Sequence, residues 1–416
     1  MNTRFALLLV SLLIAQTVCA SEDFFERLDD ALNVSALNNQ VRTRFSGSID
    51  LEGYYLEKPG PGLLDLEHHT LFNPRLTLFL DSQIGDHFYA FAQSRADRGF
   101  DPSNEHMRVR LDEYALRFTP DNDTRFNIQI GKFATVVGNW VSRHGSWDNP
   151  FITAPLVYEN LTGIWDFAPA RSGDMVLFWA GLKPKPSIGG QYLDRYKNVP
   201  VIWGPNYASG ASVFGEIGKV EYAFELKNTS LSSRPEEWSV SKTQWQHPTW
   251  SGRLGYQPNE MWNLGLSAST GTYLLRSAGP SIPMGRSLDA YRESVIAQDI
   301  RFAWHHWQLW AEAYEARFAI PGLANVDTYA YYIEAKYKFT PQFSGALRWN
   351  QQCFGKVRDG LGNSTRWGRN TSRIDIGPEY RFTPFTQLKV QYSLQHEDAD
   401  QRTIGQMLAT QLTLRF

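Results

Sequence analysis

The chain closes on Met407-Leu408-Ala409-Thr410-Gln411-Leu412-Thr413-Leu414-Arg415-Phe416. Leu408, Leu412, Leu414 and Phe416 share one parity, on which only Thr410 is polar, and Ala409, Gln411, Thr413 and Arg415 share the other. Alternation of period two over this length predicts a β-strand with one apolar and one wet face. The stretch alone also fits a half-buried edge strand ending an ordinary soluble protein. What surrounds it has to be read from the rest of the chain.

At the opposite end, Arg4 precedes an apolar run from Phe5 to Ala15, and Val18-Cys19-Ala20 offers a small-residue cleavage site before Ser21. This predicts a secretory signal over 1–20, too short and wrongly flanked for a spanning helix. Cys19 raises a lipoprotein signal as the alternative, although Val18 stands where such signals want a small residue. Cleavage leaves Cys353 as the only cysteine, so the exported chain has no internal disulfide framework. Of 416 residues, 42% are hydrophobic and 14% aromatic, with a mean hydropathy of -0.39. No helical membrane span is expected past the signal. Polar averages with many aromatics suit strands that alternate lipid-facing and lumen-facing residues, although a secreted β-sandwich or sugar-binding protein shares them. A net charge of -2 gives no reason to expect nucleic acid as a partner.

Residues 21–37 are acidic, with Phe24, Phe25, Leu28 and Leu32 at helical spacing, so 21–40 reads as a short lead-in or small plug. The first strand follows at 41–51, where Val41, Thr43, Phe45, Gly47, Ile49 and Leu51 alternate with Arg42, Arg44, Ser46, Ser48, Asp50 and Glu52. A sandwich core would leave such charges buried and unpaired. The pattern repeats at 75–81, 87–96, 108–119 and 124–132, with a phase slip near Glu113 that predicts a bulge. Residues 160–167 and the nearly all-apolar 175–182 give weaker strand signals. Paired strands then recur from Tyr207 to the terminus, joined at Gly218-Lys219, Gln257-Pro258-Asn259-Glu260, His305-His306, Thr340-Pro341-Gln342 and Thr383-Pro384-Phe385-Thr386. The tally is about eighteen strands, most near the roughly 9–11 residues of a membrane-spanning one.

Tight turns alternate with longer polar connections along nearly the whole chain. Phe118, Tyr256, Trp304, Phe339 and Phe382 each sit on the apolar parity just before a short turn, like an interfacial girdle. Together with the carboxyl-terminal Phe416, these features resemble the bacterial outer-membrane porin superfamily. The resemblance is architectural and rests on no subfamily motif. It implies an all-β fold: a transmembrane antiparallel β-barrel over 41–416, with short periplasmic turns and long extracellular loops. It also implies outer-membrane lipid and lipopolysaccharide around the barrel, assembly machinery acting on the terminal strand, and compatibility with a homo-oligomer.

A barrel this wide must hold water or a plug. The inward parity carries Arg42, Arg44, Arg75, Arg95, Arg348, Arg373 and Arg415, among other cations, together with Asp50, Glu52, Asp112, Glu312, Glu334 and Asp375. Two readings compete: cross-strand ion pairs that stiffen the wall, or a basic track guiding an anionic or polyhydroxylated solute. Arg42, Arg44, Arg373 and Arg415 are expected near the seam where the last strand meets 41–51. The excursion 133–159 is less polar than its siblings, holding Val136, Val137, Val141, Phe151, Ile152, Leu156 and Val157. Exposure of that apolar surface is unfavourable. As the third extracellular loop it is expected to fold inward, placing Trp140, Arg143, His144, Trp147 and Asp148 at a constriction; folding over the mouth is the alternative. Trp203, Trp238 and Trp245 read as packing anchors of other loops. Cys353 is expected just past a strand at the outer rim.

The leading functional expectation is a porin for passive diffusion of small hydrophilic solutes, with a polysaccharide exporter of the alginate type as runner-up. An enzyme needs a nucleophile or paired carboxylates with a base. No Ser/His/Asp set assembles around His68, His69, His87, His106 or His144. No metal-ligand or phosphate-cradling pattern is present, so no cofactor is expected.

Overall fold

The computed structural model describes residues 22–57, 69–98, 107–121, 124–183, 197–235, 245–323, 326–398 and 403–416. The predicted signal, 1–20, lies outside them. A helix α1 (Glu22–Ala31) and a short strand β1 (Asn33–Ala36) lead into β2 (Val41–Leu56). Then come β3 (Thr70–Ile84), β4 (Phe88–Asp97), β5 (Arg108–Phe118) and β6 (Asn127–Phe133). After a long connection follow β7 (Ala208–Ile217), β8 (Val220–Lys227), β9 (Thr249–Asn259), β10 (Trp262–Thr272), β11 (Arg292–Trp304) and β12 (Trp307–Phe318). The chain ends with β13 (Val326–Lys338), β14 (Phe343–Phe354), the small hairpin β15 (Lys356–Arg358) and β16 (Ser364–Arg366), β17 (Thr371–Arg381), β18 (Thr386–Glu397) and β19 (Thr403–Arg415).

Every strand from β2 onward, the hairpin apart, pairs antiparallel with its sequence neighbours, and β19 pairs with β2. The result is a closed barrel of 16 strands, with β1 as an outer strand on the start of β2. Closure leaves no open sheet edge. The expected eighteen falls to sixteen because the two weak segments are not strands. Residues 160–167 make only an isolated bridge, Trp165 to Asn198. After a one-turn helix α2 (Leu156–Glu159), most of 175–182 is helix α3 (Gly173–Trp179), whose Ser172 cap accepts from the Met175 amide. A continuous apolar run cannot tell a buried helix from a buried strand. The bulge is where the phase slip put it: Gln93 opposes Glu113 and Ser94 opposes Leu111, leaving Asp112 extra.

Alternation sets two faces. Ile130, Leu254, Ile296, Ile333, Leu347 and Ile376 are exposed on the outside, while Glu312, Glu334, Arg348, Arg373 and Asp375 are buried inside. Connections at 85–87, 218–219, 260–261, 305–306, 339–342 and 382–385 mark one end, which also holds 119–121, 124–126, the lead-in helix α1 and the carboxyl terminus. The other end carries, among the described residues, 57, 69, 134–183, 197–207, 228–235, 245–248, 273–291 and 355–370. At the short-turn end, rings meet from strand to strand: Phe88 and Phe118 at 5.0 Å, Trp262 and Phe302 at 4.5 Å, Trp307 and Tyr337 at 4.7 Å, Phe339 and Phe343 at 5.3 Å, while Tyr380 meets Phe382 at the end of β17 at 4.9 Å. Cys353 lies within β14, on its outward parity opposite Tyr329, rather than past the strand.

The terminal strand closes the barrel against Ser48 to Leu56, higher on β2 than expected, because β1 takes the stretch around Val41 to Arg44. Gln411 and Thr413 are buried rather than in water, donating to Glu52 at 2.8 Å and Asp50 at 2.6 Å. Phe416 and Gly47 exchange both backbone hydrogen bonds. A Cβ on Gly47 would lie 2.6 Å from the Phe416 ring and 2.9 Å from the Thr77 carbonyl. Gly47→Ala therefore has to push the last ring off its seat, and we expect it to destabilise the barrel by about 1–3 kcal/mol. Unfolding midpoints in detergent check this, and an unchanged midpoint removes the ring from closure.

Candidate functional site: a partly filled barrel lumen

The described parts of the third long connection, 134–183 and 197–207, run through the inside of the barrel, well beyond the expected 133–159. They are held by wall strands on nearly every side. Thr135 donates to Glu225 of β8 at 2.7 Å, and the Gly138 amide to Ser267 of β10 at 3.3 Å. The Trp140 amide reaches Glu312 of β12 at 2.7 Å, and Arg143 reaches Glu334 of β13 at 2.6 Å. The segment then crosses to the seam, where Ser146 donates to Asp50 of β2 at 2.7 Å and Lys389 of β18 donates to the Ser146 and Asn149 carbonyls. The Ile152 amide meets Gln391 at 2.7 Å, Arg348 of β14 holds the Thr153 carbonyl at 3.0 Å, and Arg373 of β17 pairs with Glu159. The segment from 133 ends in helix α2 (Leu156–Glu159). Its apolar residues explain the burial: Val137, Val141 and Val157 pack with Trp140 and Tyr158 against Trp310, Tyr314 and Tyr332 of the wall.

Glu312 is the hub. It accepts from the Asn139 and Trp140 amides and from the hydroxyls of Tyr158 (2.8 Å) and Tyr314 (2.7 Å). Gly138 is required beside it: φ is +79°, and a Cβ would overlap the Tyr314 and Tyr158 hydroxyls.

The five residues proposed for the constriction divide. Trp140 is buried, 4.5 Å from the Tyr158 ring, and does not face open space. Arg143 is an anchor, paired with Glu334 and standing 4.3 Å over the Trp310 ring. His144 is half-buried, with Nε2 at 2.6 Å from the Tyr207 hydroxyl. Trp147 is half-buried between Arg381 (5.0 Å) and Arg415 (4.0 Å), and Asp148 is exposed. The basic residues divide as well. Arg348 and Arg373 are fully buried in pairs with Glu334, Asp375 and Glu159 beneath 153–159, so they form no exposed track. Arg75 pairs with Asp50 and Glu52, and Arg95 with Asp112. Only Arg42, Arg44 and Arg415 of that set are exposed, near the short-turn end, and Arg44 pairs with Asp29 at 2.9 Å. Arg373 is not among them because Glu159 draws it into the filled region.

Toward the long-loop end, Ile164, Trp165, Val176, Leu177 and Trp179 pack on Tyr273, Tyr291, Phe318, Phe354 and Trp367, filling the interior beside β10 to β17. Trp203 joins this cluster as a packing anchor, Trp245 is exposed, and Trp238 lies outside the described residues. Open space persists on the other side. A cavity of about 790 Å³ lies between 134–144 and strands β4 to β11, with Glu113, Arg117, Glu221, Arg253, Arg301 and His144 on its walls. Its lining is of mixed charge, so it can hold water and polar solutes but is tuned to neither sign. Sequence reading put Glu312 on the inner face without its role as the segment's acceptor, passed over Tyr158, and took 160–167 and 175–182 for wall strands rather than filling. One signal was available: the inward parity of β12 reads Trp310, Glu312, Tyr314, Ala316, Phe318, too apolar for a wall facing only water.

Burial lowers the His144 imidazole from 6.5 to about 4; Arg95 and Arg75 push the same way, while the Val141 carbonyl and Asp112 oppose. With the value in place below the free one, the detached segment binds more protons than the docked one between those limits. Docking is therefore intact above about pH 6.5 and weakens as pH falls toward 4. Open-channel current noise should grow over that window in wild type and not in His144→Phe. Noise independent of pH in wild type would refute the role.

No protein-family pattern and no curated protein matches the chain. Solved structures do match in fold. OmpF of Salmonella typhi, in complex with daunomycin, aligns at a TM-score of 0.56 and 12% identity over 92% of this chain and 100% of that one. The outer-membrane channel DcaP of Acinetobacter baumannii gives 0.54 and 10% over 92% and 99%. The anion-selective porin from Comamonas acidovorans gives 0.53 and 10% over 90% and 100%. At these identities the likeness speaks for architecture, and in architecture the chain is a porin-type closed β-barrel.

Proposed function

We propose that the protein is a porin of the bacterial outer membrane: a passive, water-filled channel for small hydrophilic solutes, narrowed from within by 134–183 and 197–207. The observation that carries this reading is the infolded connection itself. It is tied to the wall by buried hydrogen bonds and ion pairs, yet leaves a cavity of about 790 Å³ open beside it, with acidic and basic side chains on its walls. A barrel serving only as an anchor or adhesin needs neither the width nor the internal tether. The exposed apolar outer band and the aromatic ring contacts at the short-turn end suit lipid and lipopolysaccharide surroundings. Phe416 on the closing strand suits recognition by assembly machinery. Short turns and termini then face the periplasm, and an oligomer of such barrels is compatible with the outer band.

A polysaccharide exporter needs a clear bore for a chain. The filled region beside β10 to β17 argues against it. The test is conductance of the purified, folded protein in planar bilayers. Stepwise, ohmic single-channel currents are expected, and a correctly folded barrel that passes no current would overturn the proposal.

A further inference from the structure

We infer that the inner rim at the short-turn end, where β12, β13, β14 and β17 meet, binds a small oxyanion of the phosphate or carboxylate class. The inference rests on the channel reading, since this rim is where a solute passes between lumen and periplasm.

Register brings the groups together. Gln308 opposes Lys336, Lys338 opposes Ser344, and Ser344 opposes Glu379. All belong to the inward parity, and with Arg381 they line a cavity of about 300 Å³. Lys336 lies 2.6 Å from one oxygen of Glu379 and Arg381 lies 3.0 Å from the other, so both oxygens of that carboxylate are engaged. Lys338 is exposed and has no salt bridge among the described residues. Three cations thus share one carboxylate. Lys336 and Lys338 sit two residues apart on one strand face, and Glu379 neutralises the first while leaving the second free to meet an anion.

On much of the inner wall a cation meets a carboxylate: Arg75, Arg95, Arg253, Arg348 and Arg373 each have one, and Arg117 is held by Gln129 instead. At the rim Lys336, Lys338 and Arg381 gather about the single carboxylate of Glu379, and Arg415 shares the Trp147 ring with Arg381. A guanidinium, two ammonium groups and the Ser344 hydroxyl present converging donors, which favour an oxyanion over a halide. The volume stands at the small end for a ligand pocket. The inward position rules out a lipid headgroup as the source.

The test uses the folded barrel in detergent, with inorganic phosphate followed by phosphorus NMR linewidth, so that binding is read apart from conduction. Saturable broadening is expected. Lys338→Gln, at an exposed position where folding is not at stake, should weaken it about tenfold. Lys219→Gln, the same charge loss at the β7–β8 turn, should leave it unchanged. No broadening, or equal broadening in both variants, overturns the site. Bilayer recordings of the same preparations separate the two proposals. Conduction without phosphate binding leaves the porin and removes the site; Lys338-dependent binding without conduction leaves the site and removes the porin.

Discussion

Replacing Glu312 with alanine is expected to release residues 137–143 from the barrel wall while the barrel itself stays folded. The carboxylate accepts from two backbone amides and two tyrosine hydroxyls. Without it, four donors in a buried cluster lose their acceptor. An unsatisfied buried donor costs about 1–3 kcal/mol, and water entering from the lumen side recovers part of that. A net loss of several kcal/mol falls on the segment, because the β12 ladder to β11 and β13 uses backbone groups the substitution does not touch. The readouts are hydrogen exchange at the Asn139 and Trp140 amides, expected to accelerate by orders of magnitude, and single-channel records, expected to flicker between conductance levels. Glu312→Gln keeps one acceptor oxygen but turns an NH₂ toward the other donors, and should fall between. Amides as protected as in wild type would mean that Arg143 and the Val137–Tyr158 packing hold the segment unaided.

The strands were legible because alternation is a local property. β2 shows it over its first ten residues, and the Asp112 bulge registered as a slip in phase. The barrel followed from what joined the strands. Where reading failed, the signal was non-local. Met175 to Trp179 is apolar at every position, and only its surroundings, a pocket of wall aromatics inside the barrel, decide that it is a helix. The register of β19 could not be read either, since β1 occupies part of β2 and a four-residue strand leaves little periodic trace.

The site was legible in part for the same reason. Apolar content correctly marked 133–159 as buried. Whether a given residue faces water or an anchor depends on partners far away in sequence. Arg143 is aimed at Glu334 and Arg348 at Asp375 and Thr153, so cations that look free along a strand are spent on holding the segment. The bland reading of wall charges prevailed for them. Parity alone did not show which cations stay exposed: Arg42, Arg44 and Arg415 do, whereas Arg373 of the same expected seam is buried against Glu159.

The largest change in conduction is expected from exchanging residues 141–150 for glycine and serine at equal length, which keeps the span but strips its anchors. Arg143 leaves Glu334, yet Glu334 keeps Arg348; Ser146 leaves Asp50, yet Asp50 keeps Thr413 and Arg75. Lys389 loses two carbonyls and retains Gln411 at 3.4 Å. The carboxylates keep their cations, and water entering where the crossing loosens takes the place of the two carbonyls at Lys389, so the barrel should fold. The stretch beyond it remains tied through Gln391, Arg348 and Arg373, and the apolar filling beside β10 to β17 persists. What changes is the crossing itself, which becomes a flexible coil. Conductance should rise at least about twofold, because a barrel of this strand number carries an aqueous channel wherever nothing fills it. The cutoff for neutral solutes in liposome swelling should rise with it. Unchanged conductance with a folded barrel would move the narrowest point to the filling contributed by 161–182 and 199–203, and removing that filling instead would then have to open the pore.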